Sequence, residues 1–340
     1  LSNGDRLAAL GWRAFFADQV DPEVLAATPP ARVVRVDRTS VRVTGSDFDA
    51  ALPFGPDIAV GDWVLVDRGA GTVACVLDRH TVISRRAAGL DRQVVTQLIA
   101  ANIDTAFIVT SCNRDFNVAR LERYLVLTMD AGMEAVIVLT KADLCDDPEA
   151  YARQAGAISD RVPVVILDAR DEGAMTTLAP WCGAARTVAF LGSSGVGKST
   201  LVNALSGGLV GAETGAIRES DARGRHTTTR RELHPLPQGF SVLDTPGMRE
   251  LQLTDVAGGI DDLFPDLAEL AQACRFSDCA HLAEPGCALR AAVDAGEVDP
   301  DRLARWQKLA AEDRGNTERQ TARRKPSGRR PQGGPRRKGR

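Results

Sequence analysis

The chain has 340 residues, 44% of them hydrophobic, and a formal net charge of −3; this length exceeds one ordinary core and predicts two or three domains. The charge is unevenly placed. Residues 319–340 hold 10 of the 42 Lys and Arg and no acid, which leaves 32 basic against 45 acidic residues, a net of −13, over 1–318. No apolar run approaches the roughly 20 residues of a membrane helix, and Leu7-Ala8-Ala9-Leu10 is too short for a signal peptide. Of seven cysteines, four stand singly (Cys75, Cys112, Cys145, Cys182), which argues for a reducing cytoplasm and against a disulfide framework.

Residues 1–30 read as a short amphipathic lead-in carrying Leu7, Leu10, Trp12, Phe15 and Phe16, and end at Pro29-Pro30. Over 31–85 the character changes to short β-branched runs such as Val33-Val34-Arg35-Val36 and Trp63-Val64-Leu65-Val66, with Gly45, Gly55, Gly61, Gly69 and Gly71 between them. Close strands with turn signals and no helix predict a small five-stranded barrel of the oligonucleotide-binding (OB-like) kind. Its aromatics are sparse, so stacking on bases is not signalled; a barrel that binds protein or caps the next domain is the alternative.

From 102 onward strand and helix patterns alternate, which predicts an α/β domain with a mostly parallel sheet over 86–255. Thr105–Val109 and Ala135–Leu139 read as buried strands, with helical spacing over 118–130 between them. Helical residues 148–157 precede a third strand at 162–167. The strand 135–139 runs into Thr140-Lys141-Ala142-Asp143. In GTPases an Asn/Thr-Lys-x-Asp segment reads guanine: the carboxylate accepts from the ring N–H and the exocyclic amine, donors that adenine does not offer there, and the lysine stem lies over the base. Thr140 stands where Asn is commoner, which predicts looser support of the loop. Asp168-Ala169-Arg170 ends the next strand, where Ser-Ala-Lys would usually close over the base; only the Ala169 N–H is expected to contact it.

An apolar strand, Thr187–Leu191, then opens into Gly192-Ser193-Ser194-Gly195-Val196-Gly197-Lys198-Ser199-Thr200 and a helix. Gly-x4-Gly-Lys-Ser is the phosphate-loop pattern. Its glycines let backbone N–H groups turn inward around phosphates at a helix N-terminus. Lys198 is expected to reach the β- and γ-phosphates, and the Ser199 hydroxyl to hold Mg²⁺. Downstream, Thr228 within Gly224-Arg225-His226-Thr227-Thr228-Thr229 is a candidate to complete Mg²⁺ and sense the γ-phosphate. His226 is a candidate to position water, with an RNA-facing or loop-stabilising role as its alternative. In Asp244-Thr245-Pro246-Gly247, Asp244 would stand beside Mg²⁺ and the Gly247 N–H would face the γ-phosphate. Met248 occupies the place of a water-orienting glutamine, which predicts slow intrinsic hydrolysis. The order is inverted relative to ordinary GTPases, because 140–143 precede 192–200; the same sheet forms if the old ends are joined and a new break is made.

The region 256–312 carries Cys274-x4-Cys279-x-His281-x5-Cys287. Three thiolates and an imidazole match a closed tetrahedral Zn²⁺ site with no open position, so the expected role is structural. Flanking residues 260–272 and 288–311 read as helices. Beyond 314 Gly, Pro and Arg dominate, and 313–340 is expected to be a disordered basic tail, with an anionic partner or plain solvation as its two readings.

Barrel, Thr-Lys-Ala-Asp ahead of the phosphate loop, Gly-Arg-His-Thr-Thr-Thr, Asp-Thr-Pro-Gly and then the Cys3His spacing together resemble the ribosome small-subunit-dependent GTPase A (RsgA, YjeQ-type) family over roughly 30–312. The resemblance implies a cytoplasmic factor in late maturation of the small ribosomal subunit. It further implies GTP hydrolysis stimulated by that subunit, contact with its rRNA, Mg²⁺, and one structural Zn²⁺ on Cys274, Cys279, His281 and Cys287. A monomer is expected. An RNA-binding scaffold with a vestigial nucleotide site is the alternative.

Overall fold

The computed structural model describes residues 3–55, 57–88, 94–171, 173–208, 231–244 and 253–324. Three short helices, α1 (Asn3–Ala9), α2 (Ala14–Ala17) and α3 (Pro22–Ala27), make up the lead-in. They bury Leu10 and Phe16 against Trp63, Leu65 and Leu77. Trp12 meets Trp63 edge-on at a centroid distance of 4.8 Å, a geometry that aromatic quadrupoles favour.

Five antiparallel strands follow: β1 (Pro30–Val36), β2 (Ser40–Gly45), β3 (Asp49–Pro53), β4 (Trp63–Asp67) and β5 (Thr72–Val76). β1 pairs with both β2 and β4, β2 with β3, and β4 with β5. Alternation turns Val41 and Val43 inward to join Ala31, Val33, Leu52, Val64 and Val66 in one core. A hairpin that the sequence reading left unassigned comes next, β6 (Val82–Ala88) with β7 (Val94–Ala101). Its base is tied to the five-stranded unit by the Ala101 N–H, which donates to the Val60 carbonyl at 2.9 Å.

The α/β part contains β8 (Thr105–Ser111), α4 (Val118–Asp130), β9 (Glu134–Thr140), α5 (Pro148–Gly156), β10 (Val164–Ile166), α6 (Gly173–Leu178), β11 (Thr187–Leu191) and α7 (Lys198–Leu205). The antiparallel pair β12 (Glu232–Pro235) and β13 (Ser241–Asp244) completes it. Along the sheet the order β10-β9-β8-β11-β13 is parallel throughout. Every residue of β8 and β11 is buried, because helices cover both faces, which is why these strands read as unbroken apolar runs. α4 forms where the sequence predicts it: the Asn117 side chain accepts the Arg120 N–H at 2.9 Å as its N-cap, and Leu121 and Leu125 are buried.

β12 is a further strand that sequence reasoning did not find. It joins β13 to β1 through Arg35 opposite Glu232, so the small β unit and the α/β sheet form one 11-stranded sheet among the described residues. Arg32 on β1 is completely buried at this junction. Its guanidinium donates to the Leu10 carbonyl at 2.8 Å, the Asn102 carbonyl at 2.9 Å and Thr187 Oγ1 at 3.2 Å, and it lies over the Trp63 ring. Burial pulls its pKa down to about 10, with Asp104 and Asp62 acting the other way.

The C-terminal part contains α8 (Ala257–Leu263), α9 (Pro265–Gln272), α10 (Ala288–Asp294) and α11 (Pro300–Arg324). Each of the two expected helices is therefore two. The first breaks at Phe264, which leaves helical geometry at φ −124° and ψ 56°, with Pro265 restarting the helix at its first position. The second breaks at Gly296, whose φ is +76°, before Pro300. The expectation of disorder from 313 gives way to helix as far as Arg324. Arg305 of α11 pairs with the buried Glu122 at 2.7 Å and Asn316 donates to the Leu253 carbonyl at 2.7 Å; such packing stabilises a segment whose composition alone argued for coil. Residues 325–340 lie outside the described residues.

Candidate nucleotide-binding site

Three of the sequence segments singled out above, together with Asp244, lie at one edge of the sheet. Because β10, β9, β11 and β13 are parallel, their carboxyl ends carry residues 168–170, 140–143 and 192–200 and the strand-ending Asp244 along the same edge in that order, with β8 between β9 and β11. This is where open α/β sheets bind ligands.

The loop after β11 is shaped by its glycines. Gly192 has φ +139°, and a Cβ there would sit 2.2 Å from the Val109 carbonyl oxygen of β8. Gly197 has φ +100° and caps α7, so the first N–H groups of that helix face the loop. Val196 is buried and anchors the loop, whereas Ser194, Gly195, Ser199 and Thr200 are exposed and Ser193 half-buried. Lys198 Nζ folds back to donate to the Gly192 carbonyl at 2.8 Å and to the Ser193 carbonyl. An ammonium with three donors held over a cradle of backbone N–H groups is equipped to take phosphate oxygens.

The segment after β9 converges on this loop. Thr140 is buried, and its Oγ1 donates to the Val196 carbonyl at 2.7 Å, with the Thr110 carbonyl at 3.2 Å. The expected loosening is thus not what the structure shows: threonine itself ties the two loops together. A Cβ on Gly197 would lie 3.7 Å from both Thr140 Oγ1 and the Ala169 Cβ, so the 168–170 loop closes against the same spot. Lys141 takes a left-handed conformation at φ +56° and starts a short turn over Ala142–Leu144. That places Asp143 beyond the strand end, with its side chain partly exposed.

By sequence, Arg170 is a departure from the closing pattern. Its Nη2 in fact reaches Asp143 Oδ2 at 2.6 Å and Asp168 Oδ2 at 2.8 Å. Hydrogen bonds from the Arg170 side chain, then from its backbone N–H, hold the Asp168 carboxyl down at about 2. The signal available in sequence was only Asp-x-Arg at a strand end. Asp244 ends β13 next to β11, but nothing is described of its side chain; His226, Thr228 and Gly247 lie outside the described residues.

A second cluster lies in the C-terminal part. One donor atom from each of Cys274, Cys279, His281 and Cys287 falls within 4.8 Å of all the others. Cys274 Sγ is 3.5 Å from His281 Nδ1 and 4.0 Å from Cys287 Sγ, and Cys287 Sγ is 3.6 Å from His281 Nδ1. A tetrahedral Zn²⁺ with its usual bond lengths gives edges of about 3.8 Å between sulfurs and about 3.6 Å from sulfur to nitrogen. The donor set therefore fits that ion. Glu284 knits the intervening loop by accepting the N–H groups of Ala280, Leu282 and Ala283 at 2.9–3.0 Å, a role the sequence did not announce.

A parallel sheet with a phosphate loop at its carboxyl edge, entered in this rotated order, has the architecture of a circularly permuted GTPase. It is similar to the solved YjeQ of Thermotoga maritima (TM-score 0.61, 27% identity, 84% of this chain and 98% of that one). It is likewise similar to YloQ, described as a circularly permuted GTPase (TM-score 0.58, 25% identity, 85% and 96%). The model of the RsgA GTPase family matches residues 76–254. Among curated relatives, the small ribosomal subunit biogenesis GTPase RsgA of Mesorhizobium japonicum is 52% identical over 92% of this chain and 91% of its own. RsgA 2 of Vibrio parahaemolyticus is 44% identical over 92% and 87%. The chain belongs to the RsgA GTPase family.

Proposed function

We propose that this protein hydrolyses GTP as a biogenesis factor of the small ribosomal subunit, in its late maturation, and that the subunit stimulates the turnover. The convergence of the 140–143, 168–170 and 192–200 loops, joined by the Thr140–Val196 hydrogen bond, carries the nucleotide reading. The curated relatives' names supply the ribosomal setting, and a cytoplasmic location follows from it.

In this reading Asp143 accepts the guanine donors, Lys141 and Ala142 flank the base, and the Ala169 N–H closes over it. Backbone N–H groups from Gly192 to Thr200, with Lys198, bind the phosphates. Bound Mg²⁺ would supply charge neutralisation at the phosphates, with Ser199 and Asp244 as its protein side. Thr228 and Gly247 would sense the γ-phosphate and His226 would position water; their segments, 223–229 and 244–250, order around GTP and relax once it is cleaved. Met248 leaves no side chain there to orient water, so intrinsic turnover is slow and the subunit supplies the missing order. Cys274, Cys279, His281 and Cys287 hold one structural Zn²⁺, which pins the lobe of α9 and α10. The small β unit is an OB-like barrel that contacts rRNA together with the basic residues after 319, and the protein acts as a monomer.

The test is GTP turnover by the full chain with and without purified small subunits. Stimulation that disappears in Lys198→Ala is the expected result. Equal turnover in both conditions would remove the subunit from the mechanism.

A further inference from the structure

We propose that Arg170 is a positioning residue for base recognition: it aims the Asp143 carboxylate through a clasp built on the loop after β10. The inference rests on the guanine reading of Asp143 given above. Four contacts build the clasp. The Arg170 N–H donates to Asp168 Oδ1 at 2.9 Å, Nε donates to the same oxygen at 3.0 Å, and Nη2 donates to Asp168 Oδ2 at 2.8 Å. This two-point grip on one carboxylate fixes the guanidinium plane. The remaining direction of Nη2 points to Asp143 Oδ2 at 2.6 Å. Residues 27 positions apart, on the loops after neighbouring parallel strands β9 and β10, thus become one rigid unit.

The stoichiometry of lone pairs favours help over obstruction. An ionised carboxylate offers about four acceptor sites. Arg170 occupies one of them on Oδ2, leaving Oδ1 whole and a site on Oδ2 for the two guanine donors. Removal of the guanidinium would bring two carboxylates face to face, since Asp143 and Asp168 both touch the same nitrogen. Like charges at that separation repel, and Asp143 would swing away from the base. The contact also accounts for the unusual residues at 168 and 170: the closing pattern expected of this loop is replaced by an ionic one.

The Arg170 side chain is 66% exposed, so solvent screens the pair and the effect is modest, about fivefold in affinity. The experiment measures fluorescent GDP binding to the full-length protein, Arg170→Ala, Asp143→Ala and the double variant, with Arg170→Lys as the conservative control. Arg170→Ala is expected to weaken GDP about fivefold in the parent and to add nothing in the Asp143→Ala background. Arg170→Lys, which keeps one donor toward Asp143 but loses the two-point grip, should recover part of the loss. Unchanged or tighter GDP binding in Arg170→Ala overturns the inference, the latter because the arginine would then compete with the base. An equal loss in both backgrounds overturns it too, since the residue would then only support the loop. If Asp143→Ala itself leaves GDP binding intact, the base-recognition reading fails and the inference falls with it.

Discussion

Single residues at the sheet edge are constrained by backbone, not by side-chain chemistry alone. Gly192 illustrates this, because two independent facts exclude a side chain there: its φ of +139° and the Val109 carbonyl 2.2 Å from where a Cβ would stand. Gly195, in the same loop, has φ +77° and nothing within 4 Å of a Cβ position. Gly195→Ala should therefore cost only the left-handed strain of about 1–2 kcal/mol. Gly192→Ala must also push β8 away from β11 and should cost about 3 kcal/mol or more. Urea unfolding of the two variants measures the difference; similar losses would mean that the close approach of Gly192 to β8 is not a constraint. Thr140 makes a related point. Its hydroxyl ties the loop after β9 to the Val196 carbonyl, a contact 56 positions apart that the substitution of Thr for the commoner Asn does not foreshadow.

At the level of elements, the Cys3His cluster sits in a segment with no core of its own: α9 and α10 bury Leu267, Leu289 and Ala292 in the core they share with the α/β part. α9 and α10 are short, 8 and 7 residues, and helices of that length are marginal in isolation. The loop between them is knitted by Glu284 and capped by the four donors. Burial raises the Cys274 thiol, but the N–H groups of Ala288 and Leu289 and the neighbouring thiols bring it below its ordinary value overall, which favours the thiolate a cation needs. Metal analysis should find one Zn²⁺ per chain, and Cys274→Ser should lose most of it together with part of the helical circular dichroism. Chelation of the parent protein should do the same. Retention of full helicity after the metal is removed would show that packing alone holds the lobe.

Across the whole molecule, one buried cation joins parts that the sequence presented as separate. Arg32 bridges the lead-in at Leu10, the segment before β8 at Asn102 and the start of β11 at Thr187, while β1 itself pairs with β12. Arg32→Met should leave those buried acceptors unpaired and cost about 2–4 kcal/mol. Denaturant unfolding checks this. A loss below about 0.5 kcal/mol would mean that water replaces the guanidinium without penalty. α11 binds the far side in the same manner: Asn316 holds the Leu253 carbonyl, and Asp313 accepts the Val256 N–H at 3.1 Å, where α8 begins. Residues 253–256, leading into α8, are thus fastened to the last helix.

What the sequence determined by itself was local chemistry. The phosphate-loop pattern was legible because glycines, lysine and serine stand within nine consecutive positions, and the Cys3His cluster because all four of its residues fall within 274–287. The parallel strands were legible because burial on both faces leaves unbroken apolar runs. Tertiary structure alone decided the rest: the hairpin of β6 and β7, the continuity of the sheet through β12, helix to Arg324, the Arg170 clasp and the Arg32 junction. Each depends on which segments become neighbours after folding, with partners as far as 155 positions apart. Hydrogen bonds and charges act through space, so a residue such as Arg170, which departs from a motif in one dimension, meets its partners Asp143 and Asp168 only in three.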